Sequence, residues 1–232
     1  MTNHSVKHSN MPPWEASAAF LFDFDGVLAD SEPLFRRSWN IALQPWGHSI
    51  SPEDYWKYWS SMGEGLEGEI RRYGLNGIDV PLAKKRQKDI YEDFVNQGMI
   101  PLFPSTAPLL EMLSSREYAQ RKQFCIASNT PYSLIRRILL SGGAPVPLIV
   151  GGDNLKKKPS PDIFLRAAAL LDAAPSSTLV FEDSWKGITA AREGSFISVL
   201  VLNSCNRNLD IKSEFVIDGV QQIFELITDG SS

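Results

Sequence analysis

Short apolar runs separate the polar segments of this chain, and they restrict its fold more than any other feature. They span 18–24, 123–127, 147–150, 178–181 and 198–202, with a weaker sixth at 215–217. The runs lack the alternation of half-exposed strands and are bounded by turn residues, which is typical of strands buried on both faces of a parallel sheet. From the second run onward, segments with helical periodicity lie between them. This order predicts an α/β fold with a doubly wound parallel sheet, a Rossmann-like core.

The stretch between the first and second runs has a mainly helical pattern. One face of a helix beginning near Pro33 carries apolar residues, namely Phe35, Trp39, Ala42, Leu43 and Trp46. Ser51-Pro52-Glu53-Asp54 has the sequence of a helix N-terminus with a capping serine and a proline at the first helical position. A longer, highly charged helix is predicted at 81–97. The first and second strands are therefore expected to be separated by a helical insertion.

The predicted organisation is an α/β core with one inserted domain. The core comprises 18–32 and 104–232, a helical cap domain occupies 33–103, and residues 1–17 form a disordered polar tail. The tryptophans of the insertion are expected to form its own core: Trp39, Trp46, Trp56 and Trp59.

Composition excludes several classes of protein. Lys and Arg number 23 and Asp and Glu 27, a formal net charge of −4 without a dense basic run, which argues against nucleic acid as a partner. The two cysteines are too few for a disulfide framework or a cysteine-rich zinc site, and the three histidines offer little for a histidine-based triad. The N-terminus lacks the apolar segment of a signal peptide, and no run reaches the length of a membrane span. We expect a cytoplasmic protein without membrane contacts, monomeric or weakly dimeric.

The residues that can carry chemistry stand where the predicted strands end. The first strand ends in Asp23-Phe24-Asp25-Gly26, the second in Ser128-Asn129 and the fourth in Glu182-Asp183, while Lys158 follows the third. In parallel sheets these ends meet at one edge, where α/β proteins bind ligands. Four carboxylates beside one lysine need a cation, because each like-charge pair at about 4 Å costs on the order of 4 kcal/mol. Only oxygen ligands are available, so Mg²⁺ is the predicted cofactor.

Together these segments resemble a known family. They are Asp23-Phe24-Asp25-Gly26-Val27-Leu28-Ala29-Asp30-Ser31, Ser128-Asn129, Lys158-Pro159-Ser160-Pro161-Asp162, and Glu182-Asp183-Ser184 followed by Gly187-Ile188 and Ala190-Ala191. The chain resembles the haloacid dehalogenase-like hydrolase superfamily, in its beta-phosphoglucomutase-like and phosphoglycolate phosphatase-like branch with a helical cap. The predicted cap itself carries little of the resemblance.

The resemblance implies a role for each strand-end residue. Asp23 would be the nucleophile that attacks phosphorus and forms an aspartyl-phosphate. Asp25 would protonate the leaving oxygen and then activate water, and Lys158 would offset the charge of Asp23 and the phosphoryl group. The phosphate-binding residues would be Ser128, Asn129 and Gly26. The Mg²⁺ ligands would be Asp23, the backbone carbonyl of Asp25, Glu182 and Asp183.

Within this family the sequence favours a phosphatase acting on a small phosphorylated metabolite, with a sugar phosphate as the favoured substrate. Asp25 supports this function, since a dehalogenase needs no acid two residues after the nucleophile. A phosphosugar mutase like beta-phosphoglucomutase and a non-catalytic relative remain alternatives. Phe35 stands where relatives often have a histidine, and Leu66 stands near the position where a mutase needs a cationic clamp. We expect these two side chains to shield the substrate as an apolar pair.

Overall fold

The computed structural model describes residues 12–120 and 122–229. Within these residues the strands are β1 (Ala19–Phe22), β2 (Gln123–Ala127), β3 (Ile149–Val150), β4 (Thr178–Glu182), β5 (Ile197–Val201) and β6 (Phe215–Ile217). They form one sheet in the order β3-β2-β1-β4-β5-β6, and all neighbouring strands are parallel. The predicted doubly wound α/β fold is thereby confirmed.

The centre of the sheet determines where its loops meet. β1 lies between β2 and β4, with Ala19 in register with Gln123 on one side and Thr178 on the other. The chain order therefore runs outward in both directions from β1, and the edge beyond this switch point is where such sheets bind ligands. All four residues of β1 are fully buried, as expected for a central strand covered on both faces.

Helices that follow β1 form an inserted segment, residues 32–96. They are α1 (Glu32–Leu43), α2 (Pro52–Asp54), which continues as a π-helical stretch at Tyr55–Ser61, α3 (Gly65–Tyr73) and α4 (Val80–Asn96). The Ser51 hydroxyl accepts a hydrogen bond from the Asp54 N–H, as its sequence predicted. Trp39 and Trp59 are buried in the core of this segment, with Trp46 and Trp56 packed against it. The domain boundaries at 33 and 103 stay a prediction.

The remaining helices cover the two faces of the sheet. They are α5 (Thr106–Ser114), α6 (Arg116–Ala119), α7 (Tyr132–Ser141), α8 (Asp162–Leu170), α9 (Trp185–Glu193) and α10 (Gly219–Asp229). Phe20 and Phe22 belong to the hydrophobic cluster formed with α5, α7 and α10. Leu21, which points to the opposite face, belongs to the cluster formed with α8 and α9. This alternation follows from the two-residue period of a strand.

The N-terminal segment that the structure describes packs on the sheet. The ring of Trp14 stacks on that of Phe181, with 5.4 Å between centroids, and the Ser17 hydroxyl donates to the carbonyl of Trp14. Residues 12–17 thus differ from the disordered tail predicted at 1–17, because Trp14 packs against the buried rings of Phe20 and Phe181. The rest of that tail, residues 1–11, lies outside the described residues. Among the helices described, none is long and apolar enough to cross a membrane.

Candidate active site

Three buried carboxylates meet at the carboxyl edge of the sheet. Parallel pairing places Phe22 beside Phe181, so Asp23, which follows β1, lies next to Glu182 and Asp183 at the end of β4. Oxygens of these three carboxylates lie within 4.8 Å of one another. Residues 160 positions apart in sequence are neighbours here because both strands end at the same edge, as the sequence predicted.

Lys158 enters this cluster from the loop after β3. Its Nζ donates to Oδ1 of Asp23 at 2.6 Å, to Oε1 of Glu182 at 2.8 Å and to the carbonyl of Ala127 at 3.0 Å. The residue is only 5% exposed. Burial opposes the charge on the ammonium group, but Asp23 and Glu182 outweigh it and raise the pKa of Lys158. The lysine is therefore a fixed positive charge in contact with the predicted nucleophile.

One ammonium group does not balance the three carboxylates. The pKa of Asp23 is raised to about 7, chiefly by burial and also by the charges of Glu182 and Asp25, against the lowering effect of Lys158. Burial, together with the charges of Glu182 and Asp23, also holds the pKa of Asp183 well above its usual range. The cluster therefore contains more carboxylates than nearby positive charges, and ionising all of them is costly. Carboxylate oxygens are the ligands that a hard divalent cation such as Mg²⁺ prefers. The residues present therefore fit the predicted metal.

Glu182 is the most constrained of the three. Its Oε2 accepts hydrogen bonds from the N–H groups of Asp183 and Ser184 and from the Ser184 hydroxyl, at 2.9–3.0 Å. A Cβ at Gly187 would lie 1.8 Å from the Glu182 carboxyl, so glycine at 187 leaves it the space it needs. Oε1 is the atom that contacts Lys158. Of the two carboxylate oxygens of Glu182, Oε1 is therefore the one that keeps a free lone pair for a metal ion.

The side chain of Asp25 is held by hydroxyl groups. Oδ1 accepts from Ser31 at 2.5 Å, and Oδ2 accepts from Thr130 at 2.6 Å and from Ser128 at 3.3 Å. Sequence reasoning missed the contact made by Thr130, because a threonine just before the start of α7 carries no signal of a bond to Asp25. These bonds hold the carboxylate next to Asp23 in a partly exposed position, where it lines the cavity described below.

The predicted phosphate-binding residues occupy different places. Ser128 and Asn129 line the cavity in front of Asp23, whereas Gly26 does not. Gly26 has φ +78°, and a Cβ there would lie 1.9 Å from Oδ2 of Asp183, so glycine permits both the turn and the close approach. Asn129 accepts a hydrogen bond from the Lys158 N–H at 3.0 Å and so anchors the loop that carries the lysine.

A cavity of about 740 Å³ connects these residues to the inserted segment. Its aromatic lining comes from that segment: Phe35, Trp39, Tyr55, Trp59 and Tyr91. Charged side chains also reach it, including Glu32, whose carboxylate accepts hydrogen bonds from Tyr55 and Ser60, and Lys186 on the first turn of α9. Sequence reasoning missed Lys186, since a single lysine in a helix carries no signal of its own.

Leu66 corrects the expectation of an apolar pair at the substrate. Phe35 does line the cavity and makes an edge-to-face contact with Tyr91 at 4.9 Å. Leu66 is 1% exposed, packs in the hydrophobic core of the inserted segment and is not part of the cavity lining. The prediction was wrong because Leu66 lies on the face of α3 that packs in the same buried cluster as Trp39 and Trp59.

Comparison with known proteins identifies the family of this chain. A family model described as haloacid dehalogenase-like hydrolase matches residues 18–194. Protein CbbY of Rhodobacter capsulatus is 28% identical over 207 residues, covering 84% of this chain and 89% of that protein. The phosphorylated carbohydrates phosphatase of Thermotoga maritima is 27% identical over 201 residues, covering 81% and 87%.

A solved structure agrees with the fold. The crystal structure of beta-phosphoglucomutase from Clostridium difficile superposes with a TM-score of 0.73 at 22% identity, covering 92% of this chain and 96% of that chain. These relatives agree with the branch predicted from the sequence, and the expectation that the chain is a hydrolase is confirmed. The family model matches more than half of the chain, and the matched residues 18–194 include β1, β2 and β4 with the polar residues that follow them. The chain therefore belongs to the haloacid dehalogenase-like hydrolase family.

Proposed function

We propose that this hydrolase is a Mg²⁺-dependent phosphatase that releases phosphate from a small phosphorylated metabolite, with phosphorylated sugars as its substrate class. The observation that carries the proposal is the contact of a buried ammonium, Lys158, with a buried carboxylate, Asp23, beside the hydroxyl-bound Asp25. The relative named as a phosphorylated carbohydrates phosphatase supports the substrate class. A cytoplasmic protein, monomeric or weakly dimeric, remains the expectation for location and assembly.

In this proposal Asp23 is the nucleophile. Lys158 binds its Oδ1, whereas Oδ2 accepts no hydrogen bond from the described part of the chain. An oxygen without a donor keeps its lone pairs for phosphorus or for a cation. A carboxylate oxygen of Asp23 forms a bond to phosphorus while the bond from phosphorus to the ester oxygen breaks, which leaves an aspartyl-phosphate.

Asp25 handles the proton in both steps. It donates a proton to the departing alkoxide, then accepts one from the water that attacks the aspartyl-phosphate, which returns Asp23 and free phosphate. Ser31 and Thr130 hold the carboxylate so that it faces the cavity without rotating away. Ser128, Asn129 and Lys158 would bind the transferring phosphate, and Gly26 would support it only through the turn it permits.

The metal would be held by Asp23, Asp183 and the backbone carbonyl of Asp25, with Oε1 of Glu182 beside them. Bound there, Mg²⁺ supplies positive charge that offsets the carboxylates and the phosphoryl oxygens. The cavity lining supports a sugar as the rest of the substrate, because aromatic walls with a few polar groups, among them Glu32 and Lys186, suit a ring that carries hydroxyls.

A panel of phosphate esters tests the proposal. Purified protein with Mg²⁺ would be offered sugar 1-phosphates, sugar 6-phosphates, phosphoglycolate and a nucleotide, with free phosphate and sugar products quantified, and with EDTA in a parallel arm. We expect one free phosphate for each sugar phosphate consumed, and loss of activity in EDTA that Mg²⁺ restores.

Three outcomes contradict this proposal. Conversion of a sugar 1-phosphate to its 6-phosphate without phosphate release, in the presence of trace sugar bisphosphate, would identify a mutase. Full activity in the chelator would remove the metal from the reaction. Absence of turnover on the whole panel would favour the non-catalytic alternative.

A further inference from the structure

An asparagine from the loop after β5 contacts both loops of the acidic cluster and has no part in the chemistry described above. The Nδ2 of Asn203 donates to the backbone carbonyl of Gly26 at 2.9 Å and to Oδ2 of Asp183 at 2.9 Å. Gly26 belongs to the loop that carries Asp23 and Asp25, whereas Asp183 follows β4. The single side chain of Asn203 therefore bridges two loops that are far apart in sequence.

The orientation of the Asn203 amide follows from its partners. Its Oδ1 accepts hydrogen bonds from the N–H groups of Cys205 at 2.8 Å and Asn206 at 3.1 Å. Two donors on one side and two acceptors, Gly26 and Asp183, on the other leave only one way to place the amide. An aspartate could keep the first two bonds but would present a second acceptor to the carbonyl and the carboxylate.

A second asparagine, Asn206, anchors the loop that carries Asn203. Asn206 is buried, and its Nδ2 donates to the backbone carbonyls of Asp183 at 2.8 Å and Val201 at 2.9 Å. Its Oδ1 accepts from the Asn203 N–H at 2.9 Å. The loop that presents Asn203 is therefore itself tied to the sheet, so that the amide is a rigid support for Asp183.

The contact also selects which oxygen of Asp183 is available. Oδ2 is bonded to Asn203 and packs against the Cα of Gly26, where even one added carbon would clash. Within the described part of the chain, Oδ1 accepts no hydrogen bond. One oxygen of Asp183 is thus fixed and the other is left free at the cluster that it forms with Asp23 and Glu182.

We propose that Asn203 is a positioning residue that sets the separation between the Asp23 loop and Asp183, so that the site is arranged for a divalent cation before the cation binds. The inference rests on the proposed function for the identity of the cation, Mg²⁺. Residues that orient metal ligands in this way typically contribute about 10–100-fold to metal affinity. Asn203 does not itself line the cavity and reaches it only through Asp183, so its loss is expected to act on the metal and not on the ester.

The test measures Mg²⁺ binding directly on the full chain without substrate. Calorimetric titration with MgCl₂, and the rise of the unfolding temperature with Mg²⁺ concentration, would be compared among wild type, Asn203→Ala, Asn203→Asp and Asn208→Ala. Asn208 is an exposed asparagine of the same loop and serves as the matched control. Asn203→Asp retains the acceptor for Cys205 and Asn206, so it covers the case in which Asn203→Ala fails to fold.

We expect Mg²⁺ affinity to fall about 10–100-fold in both Asn203 variants and to stay unchanged in Asn208→Ala. In activity assays the Mg²⁺ concentration for half-maximal rate should rise, while the KM for the ester at saturating Mg²⁺ stays near that of the wild type. Unchanged or tighter Mg²⁺ binding in a folded Asn203 variant would overturn the inference. Wild-type protein that binds Mg²⁺ yet hydrolyses no ester would contradict the proposed function alone, and wild-type protein that binds no Mg²⁺ would contradict both.

Discussion

The inserted segment and the sheet edge each bury acidic side chains, with different charge balance. In the inserted segment Glu69 is fully buried and accepts hydrogen bonds from Nε1 of Trp59 at 2.9 Å and Nη1 of Arg72 at 3.0 Å, with Nε2 of His48 at 2.8 Å. Arg72 also pairs with Glu64 at 2.5 Å and covers the ring of Tyr58. Every oxygen of Glu69 has a donor nearby, which makes it a structural carboxylate.

At the sheet edge the buried carboxylates have fewer positively charged partners. Asp23, Glu182 and Asp183 share one ammonium, that of Lys158, and the pKa values of Asp23 and Asp183 are raised chiefly by burial. Burial without neutralisation is costly to stability, and perturbed carboxylates in a cavity are typical of functional sites. The balance of charge, more than burial itself, therefore distinguishes the carboxylates proposed to be catalytic from the structural Glu69.

The largest expected effect separates these two centres directly. Asp23→Asn should reduce phosphate release to background, because the amide cannot attack phosphorus, while stability holds or rises as a buried charge is removed. Glu69→Gln should do the reverse and lose about 1–3 kcal/mol of unfolding free energy, through weaker charged hydrogen bonds, with kcat retained. Phosphate-release assays and urea unfolding of both variants measure these two effects. Activity near that of the wild type in Asp23→Asn would contradict the proposed difference between the sheet-edge carboxylates and Glu69.

A smaller loss of activity is expected at Asp25. Asp25→Asn should lower turnover roughly 10²–10⁴-fold, the usual contribution of a positioned acid–base group, while substrate affinity is kept. Thr130→Val is the matched control, since it removes one hydroxyl contact to Asp25 and leaves the carboxylate, so its loss should be much smaller. A rise in KM with unchanged kcat in Asp25→Asn would make Asp25 a substrate-binding residue instead.

The smallest expected effect on catalysis lies in the inserted segment. Leu66→Ala should cost about 2–5 kcal/mol of unfolding free energy, as for other buried leucines, with KM and kcat of the folded enzyme unchanged. Leu82→Ala is the control, because Leu82 is 46% exposed on α4 and should cost little. A changed KM without loss of stability in Leu66→Ala would restore the expectation that this side chain faces the substrate.

The sequence alone located most of the fold and the centre of the site. Short apolar runs predicted each described strand to within two residues at either end, since burial on both faces leaves little choice of residue type. The run at 18–24, for example, predicts β1, which spans Ala19–Phe22. The strand ends then brought together Asp23, Lys158, Glu182 and Asp183, because parallel strands of one sheet share an edge whatever the distance along the chain.

What needed the folded molecule is where a side chain points and which distant group it meets. The periodicity of α3 indicates that Leu66 lies on an apolar face, but whether that face covers Trp59 or the substrate depends on how the helix packs. The contacts of Thr130 with Asp25 and of Asn203 with Asp183 join loops from different strands. Such hydrogen bonds depend on distances of a few ångströms between segments whose separation only the packing of the whole core establishes, so no local pattern encodes them.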